Sequence, residues 1–485
     1  SFNSIKTITD AFGNPILWQP IAQFDLDNGL KGPHPVQIGE TGAVFNTGTD
    51  SGLRYYYKDT GLDNGRSYYY ALVPYDAGYD LDFFDRGIST RDKLTPISPS
   101  EASKIIQTDL IGNVTYVDKN TAVVVPNAAA AGVLIGGLDG EIIHDGPGTG
   151  NFEVEVVVPD SLEEGGQFRV SFTDTTKALL TQGIRIDDTV NNEVVYEATP
   201  FDSVDLSRRL LSGLNFRINS PPEPAPFTYG WTDGDSNLRA TIDLVESGRS
   251  IAVPDDIEIR MGAPGVDSSF VQFAFEQRTP VDFEVYGVTS GRKYLFIFDE
   301  TGVPDGRLSA GDIVTLVFDP VGFRFNLGWR FTFSGPDGES PRLPESGDVF
   351  RLDVSKPYSS LDTITFATQE TRYESEKAEF DLSNVYVVPD PYVASASWER
   401  PLFNATGRGE RRIDFVNLPP KCTIRIFNTA GKLVQVLEHD TIFENGSESW
   451  DLVSKDGLTV AFGVYFFHVE TPDAGEKTGK FTLIK

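Results

Sequence analysis

The chain has 485 residues, and its 71 acidic against 41 basic residues give a formal net charge of −30 at pH 7. A surface of this sign repels nucleic acid and anionic lipid, which excludes both as charge-driven partners. Hydrophobic residues make up 39% of the chain and aromatic residues 12%, so full disorder is also excluded.

The most apolar run, at residues 122–138, is interrupted by Pro126, Asn127 and Gly132. Because it is too short and too broken to cross a bilayer, we expect no membrane span. The chain has one cysteine, Cys422, which excludes an intrachain disulfide. Its stability is therefore expected to come from burial.

Short runs in which every second residue is apolar dominate the chain, a period that is typical of strands with one buried face. They lie at 151–160, 167–174, 256–261, 281–288, 312–319 and 423–428, with Gly, Pro, Asn and Asp clusters between them. The best helical candidate is a short stretch at 203–213, which ends in glycine. The pattern predicts an all-β protein built from tandem β-sandwich domains.

Changes in composition divide the chain into four predicted domains, 1–107, 108–226, 227–381 and 382–485. A closing strand and loop lie at 98–113, a proline-rich segment at 219–227, and a charged segment of few apolar residues at 368–384. The four prolines of the second segment predict a stiff linker or a long loop.

One spacing recurs four times: an apolar residue, a glycine three positions later, and an aromatic residue three positions further. The copies are Leu62-Gly65-Tyr68, Leu162-Gly165-Phe168, Leu210-Gly213-Phe216 and Val288-Gly291-Tyr294. Glycine permits a tight turn, and the aromatic ring can pack back under that turn. The spacing predicts a corner that leads into a strand; at 210 the short helix is the alternative.

The stretch "GLDNGRSYYYALVPYD" with the later "SPSEASKII" resembles a fibronectin type III domain over about 18–106. The resemblance implies that Tyr68 is a corner tyrosine and that "SPSEASKII" is the last strand. Residues 1–17 match a complete first strand poorly, so we expect a domain that lacks its start or borrows a strand from a neighbour.

The final hundred residues carry four segments in a set order: "NVYVVPDPYV", "CTIRIFNTAGKLVQVLEH", "WDLVSKDGLTVAFGVYFFHVE" and "GKFTLIK". They resemble the C-terminal immunoglobulin-like modules of exported bacterial proteins, a group that includes type IX secretion sorting domains and the flagellar-hook-cap-like fold. The resemblance implies a protein outside the cell or on the surface of a bacterium. It also implies that export machinery or a cell-surface component contacts this module.

Alternation within this module predicts which side chains are buried. Ile424 and Ile426 share one face of a strand, and Thr423, Arg425 and Phe427 share the other. Trp450 and Tyr465 are the large core candidates. Cys422 is interpreted as an inert thiol, buried or at a strand edge.

The sequence contains no motif that is typical of an enzyme. Its four histidines are far apart, and it has no HExxH, G-x-S-x-G, P-loop or dinucleotide-binding pattern. We therefore expect no enzymatic activity. A glycosidase carboxylate pair stays open as an alternative, because acidic residues are too numerous for two of them to be chosen.

The best metal candidate is the loop "DETGVPDGRLSAGD", which projects Asp299, Asp305 and Asp312 from a turn between two strands. Such loops supply the carboxylate and carbonyl oxygens that calcium prefers, so calcium is a possible cofactor. An ordinary solvated Asp/Gly turn is the alternative. The segment at 231–237 is a weaker second candidate.

These observations predict a non-enzymatic extracellular structural or adhesive protein, exported and then surface-attached or self-assembled into a fibre. A homo-oligomer or fibre would form through strand-edge contacts. The alternative is an accessory or carbohydrate-binding part of a secreted hydrolase. A carbohydrate-binding protein requires a row of exposed aromatic rings, for which the tyrosines at 55–57 and 68–70 are candidates. The other interpretation of these tyrosines is that their rings pack in the core or at strand edges.

Overall fold

A computed structural model of the chain describes residues 7–9, 15–87, 95–108, 114–175, 179–271, 277–302, 304–321, 324–393 and 411–484. Strands dominate these residues, and the α-helices among them are short. The prediction that the protein consists mainly of β-strands is confirmed, and most of its strand pairs are antiparallel. The chain forms two compact units, the first from residues 1–136 and 370–485 and the second from 137–369.

The N-terminal part of the first unit consists of short strand pairs. Its elements are β1 (Thr7–Thr9), β2 (Pro15–Trp18), β3 (Pro33–Gln37), β4 (Val44–Asn46), β5 (Tyr68–Ala71), α1 (Leu81–Asp85), β6 (Ile106–Thr108), β7 (Val114–Val117), β8 (Thr121–Val124) and β9 (Val133–Leu134). Within the described residues β1 pairs with β2, β3 with β4, β5 with β8, and β6 with β7. The sequence predicts that residues 1–17 do not form a complete first strand. Of these residues, 1–6 and 10–14 lie outside the described part of the chain.

The second unit contains most of the long strands. They are β10 (Gly137–Asp145), β11 (Asn151–Val156), β12 (Gly166–Asp174), β13 (Thr181–Asp188), β14 (Glu193–Ala198), β15 (Leu214–Asn219), β16 (Ala225–Asp233), β17 (Arg239–Leu244), β18 (Ile257–Met261), β19 (Asp267–Ser268), β20 (Pro280–Val281), β21 (Phe283–Gly287), β22 (Leu295–Asp299), β23 (Ile313–Val321), β24 (Arg324–Ser334), β25 (Val349–Ser355) and β26 (Thr363–Gln369). A 3-10 turn at Pro159–Ser161 and the helix α2 (Ser203–Ser207) interrupt them.

The predicted helix at 203–213 is thus shorter than expected. The Asp202 carboxylate accepts hydrogen bonds from the Val204 and Asp205 N–H groups and so caps α2, but the helix ends at Ser207. Gly213 then has φ +77° and turns the chain into β15.

Two layered cores account for the stability of the second unit. In the first, the sheet β10-β26-β12-β13-β14 and the pair β11-β15 enclose one cluster that includes Val170, Ile186 and Phe216. In the second, the sheets β16-β25-β18-β21 and β17-β24-β23-β22 enclose another. The Phe331 and Phe350 rings, one from each of these two sheets, lie 6.1 Å apart.

Strand pairing joins the predicted ranges 108–226 and 227–381. β26 comes from the second of these ranges, yet it lies between β10 and β12 of the first. Of the proline-rich segment at 219–227, only residues 220–224 connect β15 to β16, and the rest belongs to these two strands. A strand's alternation fixes which side chains it buries but not which distant strand it pairs with, so the sheets do not follow the ranges read from composition.

The C-terminal part of the first unit is a two-sheet module. Its elements are β27 (Arg372–Tyr373), α3 (Ser375–Leu382), β28 (Tyr386–Val388), β29 (Tyr392–Val393), β30 (Ile413–Val416), β31 (Lys421–Asn428), β32 (Leu433–Asp440), β33 (Ser447–Trp450), β34 (Gly463–Glu470) and β35 (Glu476–Ile484). The sheets β28-β30-β33 and β29-β35-β34-β31-β32 share one core, and β29 runs parallel to β35.

The predicted burial in this module is confirmed. Ile424 and Ile426 are fully buried, and Trp450 and Tyr465 lie in the core with rings 6.2 Å apart. Cys422 is also buried, and its burial together with the nearby Glu448 and Glu438 raises the pKa of the thiol to about 12. The thiol is therefore protonated and unreactive at neutral pH.

The segment at 128–133 ties the module to the N-terminal part of the same unit. The Ala130 N–H donates to the Phe443 carbonyl, and the Gly446 N–H donates to the Ala128 carbonyl, at 2.8 and 2.9 Å. Gly446 is required here, because a Cβ at this position would lie 2.7 Å from the Ala129 carbonyl oxygen. Backbone pairing and close packing therefore hold the module in place.

The four glycine corners predicted from sequence are confirmed. Their glycines all have φ between +68° and +77°, and each corner leads into a strand, namely β5, β12, β15 and β22. In the first corner the Asp63 N–H donates a 2.8 Å hydrogen bond to the Tyr68 hydroxyl, five residues downstream. This is the contact that a corner tyrosine makes.

Candidate docking surface

The predicted metal loop is closed by one of its own aspartates. Asp312 is fully buried, and its Oδ1 accepts hydrogen bonds from the N–H and hydroxyl of Thr301 at 2.8 and 2.9 Å. Its Oδ2 accepts from the N–H and hydroxyl of Ser309 at 2.7 and 2.8 Å. These four donors bind the two ends of the loop to one carboxylate.

The other two predicted ligands lie elsewhere in the loop. Asp299 is the exposed last residue of β22, and the exposed Asp305 accepts a hydrogen bond from the Arg307 N–H at 2.9 Å. Within the ranges that the structure describes, no three His, Cys, Asp or Glu side chains lie close enough to hold a metal ion. The structure therefore does not bring Asp299, Asp305 and Asp312 together, and calcium binding stays a prediction.

Two further acidic side chains, Glu300 within this loop and Asp282 next to it, were not predicted as site residues. Asp282 is 8% exposed, and burial raises the pKa of its carboxyl although Arg307 lies 3.7 Å from Oδ2. Its Oδ1 and Oε2 of Glu300 have no hydrogen-bond partner within the described residues. Nothing in the alternating run at 281–288 marks Asp282 as the acidic residue that becomes buried.

The outer face of the C-terminal sheet is built by strand register. Phe427 on β31 lies opposite Phe466 on β34, and Phe466 lies opposite Lys480 on β35. One step along the same face, Val464 lies opposite Thr482. Because directly paired residues project from the same side of a sheet, these side chains form one surface.

This surface continues to both edges of the sheet. At one edge, Ile484 of β35 lies beside Val393 of the parallel strand β29. At the other edge, Val436 of β32 lies opposite Arg425 of β31. The exposed apolar positions, with their exposed fractions, are Val393 51%, Val436 37%, Val464 38%, Phe466 44% and Ile484 43%. We call these residues, with the half-buried Phe427, the outer apolar face.

A shallow hollow of about 520 Å³ lies beside Phe427 and Phe466 of the outer apolar face. It is lined by Phe427, Phe466, Phe467, His468, Thr478, Gly479 and Lys480. In an antiparallel sheet with one face on a core, the other face is ordinarily polar. Here apolar side chains occupy both faces of β34, which is typical of a surface that a partner covers.

Charged groups of both signs border the outer apolar face. The Arg425 guanidinium pairs with Glu470 at 2.5 Å and thereby lowers the pKa of that carboxyl, and His468 Nε2 lies 3.0 Å from Glu476. Residues 411–485 contain nine basic and ten acidic side chains, whereas the other 410 residues have a net charge of −29. The surface thus belongs to a part of the chain whose net charge is close to zero.

The tyrosines that were candidates for a sugar platform adopt two arrangements. The Tyr68 and Tyr70 rings stack at 6.5 Å, and the Tyr70 hydroxyl donates to Asp59 at 2.6 Å. Burial and Asp59 raise the pKa of Tyr70 to about 12. Tyr55 and Tyr57 are 59% and 50% exposed, and Tyr57 is tilted against Phe24. Tyr55 and Tyr57 are therefore the more accessible rings.

None of the helices in the described residues has the length and apolar character needed to cross a membrane.

No protein-family model matches the chain, and no curated protein matches it either. Distant similarity exists to solved structures. One is PorZ, described as an essential bacterial surface component of the type-IX secretion system of Porphyromonas gingivalis, at 13% identity, TM-score 0.18, and 64% of this chain against 43% of that one. Another is dimeric latent PorU from the same organism, at 14% identity, TM-score 0.15, and 67% against 30%.

A polysaccharide lyase is also similar, at 10% identity, TM-score 0.13, and 66% of this chain against 47% of that one. The chain thus spans less than half of each of these three solved structures.

Proposed function

We propose that the chain is a non-enzymatic extracellular structural or adhesive protein, held at a bacterial surface through its C-terminal module. The observation that carries this proposal is the outer apolar face. A face of this kind is stable when a partner covers it, since burying the remaining surface of each such side chain contributes roughly 1 kcal/mol. An attachment module needs such a surface, whereas an inert terminal domain does not.

The order of segments in this module supports its assignment to the immunoglobulin-like sorting modules. The proline-containing entry contains β28 and β29, the Gly431 turn joins β31 to β32, and "GKFTLIK" forms most of the last strand, β35. We likewise assign the N-terminal part to the fibronectin type III class on the corner contact of Tyr68. Both assignments are part of the proposal, as is export by the type IX route.

Three buried aspartates support a structural role. Asp255 accepts hydrogen bonds from the N–H groups of Thr289 and Ser290 and from the Tyr294 hydroxyl. Asp362 accepts from the N–H groups of Gly148 and Ser359 and contacts His144 Nε2 at 2.8 Å. As with Asp312, these carboxylates are engaged in holding loops together, which favours a scaffold over a reacting centre.

The experiment is surface attachment in a bacterium with type IX secretion. The chain is expressed behind an export signal, and the wild type is compared with Phe466→Lys and with Val123→Lys. Val123 is 41% exposed on β8 and lies outside the outer apolar face, so it matches Phe466 in exposure. We expect Phe466→Lys to release the protein into the medium and Val123→Lys to leave it attached. Equal retention of both variants would contradict the proposal.

The second candidate is an accessory, carbohydrate-binding part of a secreted hydrolase. The observation that favours it is the exposure of Tyr55 and Tyr57. Aromatic rings of this kind stack on sugar rings. Retention of the wild type on insoluble polysaccharide, lost in a Tyr55→Ala/Tyr57→Ala double variant, would establish this function in place of the first.

A further inference from the structure

The outer side of the C-terminal sheet, which carries the outer apolar face, is large enough for a specific protein contact. With strands about 4.8 Å apart and about 3.4 Å per residue, the whole outer side of this five-stranded sheet, polar side chains included, presents about 600 Å². Two such sheet sides that meet in full would bury about 1,200 Å², the lower limit for a specific interface. The contact therefore needs a partner surface that is equally flat and equally apolar.

The distribution of charge along the chain favours one kind of contact between two copies of this chain. Residues 411–485 have a net charge of −1, and residues 1–410 have −29. Contacts between copies made mainly by residues 1–410, of which only Val393 belongs to the outer apolar face, are opposed by repulsion between like charges. A contact in which both partners use the C-terminal sheet brings together parts of two chains whose net charge is close to zero.

We propose that two copies of this chain dock through their outer apolar faces about a two-fold axis. This inference rests on the proposed function and names the partner of the same surface. A two-fold contact uses the same patch on both copies, so one apolar face covers the other without a second complementary site. Two sheets that meet in this way pack about 10 Å apart, as in the core of a sandwich.

The border of the face agrees with this arrangement. Lys480 lies opposite Phe466 and makes no ion pair within the described residues, whereas Glu470 and Glu476 lie at the ends of β34 and β35. The outer side of the sheet thus combines apolar side chains with charged groups of both signs, as the surface of a non-obligate protein interface does.

Sedimentation equilibrium from 1 to 200 µM protein, in 50 and 500 mM NaCl, tests the proposal. We expect a monomer–dimer equilibrium whose Kd falls at 500 mM NaCl, because salt screens the repulsion between two chains of charge −30. Phe466→Lys is expected to raise Kd at least tenfold, and Val464→Thr, which keeps the strand propensity and shape, several-fold. Val123→Lys is the matched control and should leave Kd unchanged.

Three results would overturn the inference. A monomer at every concentration and both salt levels would exclude self-docking. A dimer unaffected by either substitution on the face would place the contact elsewhere. A dimer that dissociates in 500 mM NaCl would indicate attraction between opposite charges and not a two-fold apolar contact. If the chain is monomeric while Phe466→Lys still releases it from cells, self-docking is excluded and the attachment function stands.

Discussion

Replacing Asp312 by asparagine tests whether this residue closes its loop or binds a metal ion. Asparagine has nearly the same shape, so the substitution changes the hydrogen bonding and leaves the volume almost unchanged. One side-chain oxygen still accepts, but the amide nitrogen now faces donors of Thr301 or Ser309 at 2.7 to 2.9 Å. At a site with no exposure, those donors lose their acceptor.

The expected cost follows from these contacts. A hydrogen bond to a charged group contributes about 1.5–3 kcal/mol, and a buried N–H left without a partner costs about 1–3 kcal/mol. The hydroxyl groups can rotate toward other acceptors, so the main loss comes from one N–H and from the carboxylate charge. We expect the free energy of unfolding to fall by about 3 kcal/mol, or the Tm of this unit by roughly 10 °C.

The assay is urea unfolding followed by tryptophan fluorescence, with calorimetry for the Tm. Trp329 lies in the core cluster that β22 and β23 complete, and Trp231 packs against it, so their emission reports on this unit. Asp305→Asn is the matched control, since Asp305 lies in the same loop but is exposed. It should change stability by no more than about 0.5 kcal/mol.

Two outcomes would refute the reasoning. Asp312→Asn with a stability within 0.5 kcal/mol of the wild type, a threshold of about the size expected for surface changes, would show that the four hydrogen bonds do not stabilise the loop. A rise in Tm on adding calcium that both Asp312→Asn and Asp305→Asn abolish would identify the loop as a calcium site.

Three further predictions follow from the structure. Gly446→Ala should destabilise the first unit by about 1–3 kcal/mol through overpacking, measured by urea unfolding, with Gly248→Ala, whose Cβ would meet open space, as the control. Asp282→Asn should raise the Tm at pH 7, because burial raises the pKa of this carboxyl and its ionised form opposes folding. The folded wild type binds the proton of this carboxyl more tightly than the unfolded chain does. The difference in Tm between Asp282→Asn and the wild type should therefore become smaller as the pH falls through the raised pKa. A difference in Tm that does not change with pH would contradict this prediction. Cys422 should react with a maleimide reagent only in denaturant, because it is buried and its pKa is raised to about 12.

Local patterns in the sequence were sufficient to predict the strands and their buried faces. Alternation placed Ile424 and Ile426 in the core and Phe427 on the opposite face, because successive side chains of a strand project to opposite sides. The recurring glycine spacing predicted corners at four positions, since glycine adopts a positive φ without strain. Both kinds of information act over a few residues and need no knowledge of partners.

Contacts between distant residues decided the rest. The position of the two loop ends decides whether Asp312 contacts solvent, a metal ion or the donors of Thr301. A stretch of aspartates and glycines is compatible with all three, so the sequence does not distinguish them. The prediction that Phe427 faces away from the core did not show that Phe466 and Val464 join it on one surface, because register sets that surface.

The sequence by itself determined that this chain is a mainly β protein with an acidic surface, because charge and alternation are local properties of the chain. The tertiary structure decided that β26 pairs between β10 and β12, and that apolar side chains meet on the outer side of the C-terminal sheet. The physical reason is that every strand edge presents the same backbone hydrogen-bonding groups, so a strand can pair with several strands that are distant in sequence. The packing of the whole chain decides which of these pairs form.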